Sequence, residues 1–334
     1  MYQWLAKLRF RTRAWLAVGA AVAAGLVVAQ EIPTIRVNVS LVRVVATVRN
    51  QSGELVGKLQ KEDFEIRDNG ALQEISVFAH EAAQPLSVAL LVDTSGSTAK
   101  ELKYEGDSAL KFLHALLTEG NPQDAVALYT FDYDVREARG FTHNYASLER
   151  PLRMLHGEGG SSVYDAVFYA ARALESREGR KVIVIVTDGG DTTSAHDSKA
   201  ALKAAQLADA VIYSAVVMPI TNSAGRNTGG EHVLEYMAQG TGGRTFLQTS
   251  GTQLDKTFAD IIAELRTQYL IGYYPRDVPL SKDPYHKLDL RLRVPELRVS
   301  ARNGYYGDTE ASVAVAPASK ISVNPERKKE QRKK

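Results

Sequence analysis

The stretch Ser87-Val88-Ala89-Leu90-Leu91-Val92-Asp93-Thr94-Ser95-Gly96-Ser97 decides how the rest of the chain is read. Residues 87–92 are small or apolar with no polar alternation, the pattern of a strand covered on both faces. Asp93 ends the run, and Ser95 and Ser97 follow at alternate positions. An acid and two hydroxyls thus stand where a buried strand runs out into a loop. Open α/β sheets build their sites at that edge. Hard divalent cations take oxygen donors of this kind.

Outward from this strand, apolar runs and helical patterns alternate. Asp124–Phe131, Lys181–Asp188 and Ala210–Met218 read as further central strands. Leu102–Leu117, Val163–Leu174, Asp197–Leu207 and Val233–Gln239 read as helices between them. Leu254, Phe258, Ile261, Ile262 and Leu265 close the series on one helical face. The expected fold is α/β, a doubly wound and mostly parallel sheet spanning 85–266.

Both flanks read as β. Residues 35–49 alternate, with a one-residue slip between Leu41 and Val42 that suggests a bulge or a change of partner. Asn69-Gly70 between Phe64/Ile66 and Ile75/Val77 is a hairpin signal. Tyr269–Tyr274, Lys287–Val294 and Leu297–Tyr306 are strand-like, with six of the fifteen tyrosines between 269 and 306. A sugar-binding aromatic surface is the competing reading, and pleated, half-exposed strands account for the tyrosines more simply. Neither flank is large enough to fold alone. Segments 31–84 and 267–307 are therefore expected to form one smaller β-sandwich-like domain, with 85–266 inserted between them.

Composition narrows the function. Hydrophobic content of 44% and charge of 24% are ordinary for a globular chain. Both ends are basic: residues 1–29 carry Lys7, Arg9, Arg11 and Arg13 without an acid, and 320–334 hold seven Lys/Arg against two Glu. Setting aside +4 and +5 at the ends turns the whole-chain net of +2 into −7 for the body. An acidic body argues against nucleic acid as a partner. The basic start and the apolar run Ala14–Ala29 read as an export signal, cleaved before Gln30 or kept as an anchor. The expected location is periplasmic or extracellular, with membrane attachment only if that segment stays uncleaved. The absence of cysteine rules out disulfides and thiol ligation. Beyond Asp308 the basic chain is expected to be disordered.

Two later segments can complete the site. Gly159-Gly160-Ser161-Ser162 enters a helix, and Val182–Thr187 ends in Asp188-Gly189-Gly190-Asp191. Alone, Asp93 reads as a helix cap or turn, Ser161 as a cap and Asp188 as a strand-end turn. Together they resemble the three parts of the metal-ion-dependent adhesion site of von Willebrand factor type A domains, over residues 85–266. The flanks resemble a group of exported bacterial proteins related to that family, through Glu62–Gly70, Gln268-Tyr269 to Tyr274-Pro275, and Asn303–Tyr306.

The resemblance implies Mg²⁺ or Mn²⁺ ligated by the hydroxyls of Ser95, Ser97 and Ser161. Asp93 and Asp188 would act mainly through bound waters. Family members usually carry Thr where this chain has Ser161, and a serine rotor is freer than a β-branched one. The implied function is an exported, non-enzymatic module that binds a protein whose carboxylate completes the metal shell.

Two alternatives stand beside it: a scaffold with a vestigial site, and a Mg²⁺-dependent phosphohydrolase using Asp93 as nucleophile. The second would need an acid two residues on, where Ser95 stands. The seven histidines form no HxxxH or HxH pair, and no Walker loop, GxGxxG or GxSxG occurs. His196 and Asp191 are expected to be solvated loop residues.

Overall fold

Among the described residues, half-buried strands come first and last and the fully buried ones lie in the middle. The computed structural model describes residues 41–80, 84–217, 227–248, 251–279 and 284–307. All fall in one compact unit, Ser40–Lys334. The expected leader, most of the alternation at 35–41 and the basic tail lie outside the described residues.

The first strands are β1 (Val42–Arg49), β2 (Phe64–Asp68), β3 (Ala71–Gln73) and β4 (Ile75–His80). There follow β5 (Leu86–Asp93), β6 (Ala125–Phe131), β7 (Val135–Thr142), β8 (Arg180–Thr187), β9 (Ala210–Val217) and β10 (Arg244–Gln248). Between and after them run α1 (Leu102–Thr118), α2 (Ala146–Arg153), α3 (Val163–Leu174), α4 (Ser198–Leu207), α5 (Thr228–Thr241) and α6 (Gly251–Leu265). β11 (Tyr269–Tyr273), β12 (Tyr285–Leu292), β13 (Arg298–Ala301) and β14 (Gly304–Tyr306) complete the series.

The central sheet has the order β10-β9-β8-β5-β6-β7, parallel throughout except for β7. This is the expected mostly parallel α/β architecture. Every residue of β5 is buried because helices cover both faces. Leu86, Val88, Leu90 and Val92 share one core with Leu113 and Leu116 of α1, Leu148 of α2 and Phe258 of α6. The Phe112 and Phe258 rings stack with centroids 4.7 Å apart. Ala89 and Leu91 face a second core with Ala166 and Ala170 of α3 and Ala201 and Ala205 of α4. Alanine at those helix positions lets the backbones come close to the sheet. Each fully buried Leu, Val or Phe contributes about 1.5–3 kcal/mol relative to exposure.

This two-residue period places the site. Val92 pairs with Val186 in the parallel register of β5 and β8. The next step brings Asp93 beside Thr187, on the face already used by Leu91 and Ile185. The chain leaves β5 for β6 on one side and returns as β8 on the other, so the strand order reverses between β5 and β8. Such a reversal opens a crevice at the carboxyl ends of the strands.

Strands from both flanks share two antiparallel sheets, β13-β1-β11-β4 and β14-β12-β2-β3. Their common core joins Val44, Phe64 and Ile66 to Tyr269, Ile271, Tyr273 and Leu288. Asn69 and Gly70 turn the β2–β3 hairpin with φ of 47° and 87°, the left-handed pair such a tight turn needs. Just before it, fully buried Asp68 accepts from the Tyr273 and Tyr305 hydroxyls at 2.8 Å each. His286 Nδ1 lies 2.9 Å from its other oxygen. Gln268 ties these sheets to the α/β part, donating to Thr47 Oγ1 and Tyr213 Oη at 3.0 Å while accepting from Arg180. Arg49 on β1 pairs with Glu264 on α6. The residues that mark the flanks in the sequence are thus those that stitch them together.

Four elements depart from expectation, the first being Arg244–Gln248, a parallel edge strand beside β9 that the sequence reading did not mark. Val135–Thr142 forms an edge strand, mostly exposed and paired on one side only, so no apolar run announced it. Ala146–Arg153 is a helix despite Pro151. Leu297–Tyr306 is two strands in different sheets, not one. Among the described residues no helix is long and apolar enough to cross a membrane.

Candidate metal centre

Three loops meet at the carboxyl ends of β5 and β8. The loop after β5 carries Ser95 and Ser97, and Thr98 latches it by donating to the carbonyls of Asp93 (3.0 Å) and Ser95 (3.1 Å). Two backbone bonds zip this loop to the one before α3: Gly96 N–H to Gly159 O, and Glu158 N–H to Thr94 O. The third loop joins through Ser161, whose N–H donates to Thr192 Oγ1 at 2.9 Å and whose carbonyl accepts from the N–H of Thr192. Gly159 sits at φ +82°, and a Cβ there would fall 2.4 Å from the Tyr133 ring, so only glycine fits.

Asp93 is fully buried at the centre. Its Oδ1 accepts from the Ser95 N–H at 2.9 Å. Its Oδ2 accepts from Ser161 Oγ at 3.0 Å and from Thr187 Oγ1 at 2.6 Å. Thr187 in turn accepts from the Gly189 N–H, which fixes its rotor. The Ser95 and Ser97 hydroxyl oxygens lie 3.0 Å apart. Asp188 is held by the Gly190 N–H on Oδ1, and its charge acts on Asp93. Burial pushes the Asp93 carboxyl up to about 6, against the hydrogen bonds from Thr187 and Ser95, and the Asp188 charge adds to the rise.

The donor set fits a small hard cation. Neighbouring ligands of an octahedral Mg²⁺ at about 2.1 Å stand roughly 3 Å apart. That is the separation of the Ser95 and Ser97 oxygens. Among the described residues no group of three or more His, Cys, Asp or Glu is arranged to hold a metal, so any cation here depends on the hydroxyls.

Asp93, Ser95, Ser97 and Ser161 are therefore brought together, with Asp188 close by on the next strand. Two loop residues have roles that their surroundings in the sequence conceal. Asp191 is not a solvated acid: its Oδ1 accepts from the Tyr164 N–H at the start of α3 and from Ser194 Oγ. His196 is not a free surface histidine. It stacks on Phe168 with centroids 3.9 Å apart and meets Asp165 Oδ1 at 2.7 Å.

Sequence reasoning also missed Thr187 as a donor to Asp93, and it missed Glu105. Glu105 lies on α1, 1% exposed, three residues after buried Leu102 and four before buried Ala109. An acid on the apolar stripe of a helix was the available signal. Burial holds its carboxyl well above the usual range, and the charges of Asp93, Glu101 and Asp188 add to that.

Residues 88–190, within the α/β part of this chain, match the family model of the von Willebrand factor type A domain. Similar solved structures include the conserved hypothetical protein BatB of Bacteroides thetaiotaomicron, at 18% identity and a TM-score of 0.43, covering 54% of this chain and 98% of that one. Another is the vWF domain of the type V pili tip protein Mfa5 of Porphyromonas gingivalis (15%, 0.45, 54% and 95%). A third is the von Willebrand factor type A protein of Catenulispora acidiphila (11%, 0.47, 75% and 76%). No curated protein matches the sequence.

Proposed function

We propose that this protein is an exported binding module that grips a partner protein through a divalent cation, Mg²⁺ or Mn²⁺, and that it is not an enzyme. The observation that carries the reading is the Ser95 and Ser97 hydroxyl oxygens 3.0 Å apart, the spacing of neighbouring ligands around a small cation, beside buried Asp93, which the Ser161 hydroxyl also reaches. When bound, the cation supplies an electrophilic position that accepts an oxygen from outside the chain. Ser95, Ser97 and Ser161 would hold it as neutral ligands and leave a coordination position for an acidic side chain of the partner. Asp93 and Asp188 fix the hydroxyls and the metal-bound waters. Tyr133, 62% exposed beside Gly159, offers an aromatic contact at the rim. Location outside the cytoplasm rests on the sequence of the first 29 residues.

A thermal-shift titration of the whole chain with Mg²⁺, Mn²⁺ and Ca²⁺ tests the metal part. The melting temperature rises with [metal]/Kd in the wild type and does not move in Asp93→Ala. Identical melts with metal and with chelator contradict the reading.

A further inference from the structure

The fold provides for its buried acids with care, and the exception stands in the first turn of α1, the helix that follows the Ser95–Ser97 loop of the candidate metal centre. Asp68 meets two tyrosine hydroxyls and His286. Asp124 meets Arg266 and the Leu86 N–H, and Asp132 meets Arg136 and the Asp134 N–H. Glu264 pairs with Arg49 and Arg244. Glu105 is as deeply buried as Asp124, yet neither of its carboxyl oxygens has a hydrogen-bond partner among the described residues. A buried polar group left without a partner is strongly unfavourable whether it is charged or neutral, and native proteins rarely keep one without a use. The charges that act on Glu105 are those of Asp93 and Asp188, the two acids of the centre, together with Glu101. Negative charge acts on Glu105 with no basic side chain to offset it, a setting that favours a cation. The described acids are not set to ligate an ion directly as a trio, which leaves a water-mediated role. Mg²⁺ characteristically keeps several waters, and these need acceptors.

We propose that Glu105 is a positioning residue of the metal centre, whose carboxylate accepts hydrogen bonds from water on the cation and so sets the affinity for it. The inference rests on the metal-binding reading above and deepens it. Two opposite effects follow from one substitution. Glu105→Gln removes an uncompensated acid, so the chelated protein melts at a higher temperature than wild type. The same change weakens the acceptor for metal-bound water, so Mg²⁺ affinity falls by about ten- to a hundredfold, the usual effect of losing an outer partner of a metal ligand.

The experiment is calorimetric titration of the full chain with MgCl₂ and MnCl₂ near neutral pH, paired with melts in chelator, for wild type, Glu105→Gln and Glu105→Asp. Glu105→Asp keeps the charge but withdraws it by one methylene, and an intermediate loss of affinity is expected. This variant carries the test if the glutamine form does not fold. Wild-type binding with an unchanged Kd in the variants overturns the role of Glu105 and leaves the metal reading standing. A wild type that takes up neither cation overturns both.

Discussion

Acidifying the chelated protein should make its Asp93 site more stable, against the behaviour of carboxylates held charged by ion pairs. The folded state holds the Asp93 carboxyl at about 6, where burial is the main cause, against an ordinary value of 3.8. Above about pH 6 the group is charged in both folded and unfolded chains. Between that value and 3.8 the folded chain binds a proton that the unfolded chain does not, so stability rises as pH falls through this window. From pH 7 to pH 5 the gain is about 1 kcal/mol, or roughly 2–4 °C in melting temperature for a chain of this size. Differential scanning calorimetry in excess chelator at both pH values, on wild type and Asp93→Asn, isolates the contribution by subtraction. The asparagine variant lacks the titrating group and should lose about that much of the acid-side gain. In saturating Mg²⁺ the sign reverses, because proton and cation compete for the same carboxylate. If Asp93→Asn keeps the whole gain, Asp93 is not the buried anion described, and the electrostatic account of the centre fails.

Other predictions follow from the same geometry. Ser161→Ala, which removes one hydroxyl from the cluster, lowers Mg²⁺ affinity at least about tenfold by calorimetry. Ser161→Thr keeps the oxygen on a stiffer rotor and binds at least as tightly as wild type. Gly159→Ala meets both the positive φ and the Tyr133 ring, so it destabilises the chain by about 1–3 kcal/mol in denaturant melts. The double variant with Tyr133→Ala recovers only the steric part. Asp68→Ala strands two tyrosine hydroxyls and His286 in the flanking sheets, and urea denaturation should show a loss of about 2–4 kcal/mol with metal response intact at the remote centre.

Where a segment is buried on both faces, its sequence announces it, as Leu86–Asp93 and Arg180–Thr187 do. Asn69-Gly70 was equally plain because that turn requires left-handed backbone at both positions. Val135–Thr142 stayed hidden because an exposed edge strand needs no apolar period, and its pairing is set by β6 alone. Arg298–Ala301 and Gly304–Tyr306 were read as continuous although Asn303-Gly304 at their junction carries the same turn signal as Asn69-Gly70.

At the centre, Asp93, Ser95, Ser97, Ser161 and Asp188 were legible as a spaced motif. Thr187 was not, because its hydroxyl matters only through the β5–β8 register that sets it beside Asp93. Asp191 and His196 read as solvated since their partners, at Tyr164 and Phe168, lie a helix away in sequence. Glu105 shows only as a break in an apolar stripe, and its meaning depends on which strand ends that helix crosses.

The central claim is that one divalent cation sits among three converging loops. Diffraction from crystals grown with Mn²⁺, collected at the manganese absorption edge, addresses it most directly. The account predicts a single anomalous peak bonded to the hydroxyls of Ser95, Ser97 and Ser161, with waters reaching Asp93 and Asp188. Clear density for all three loops without a peak between them, at manganese concentrations that saturate related sites, would contradict it.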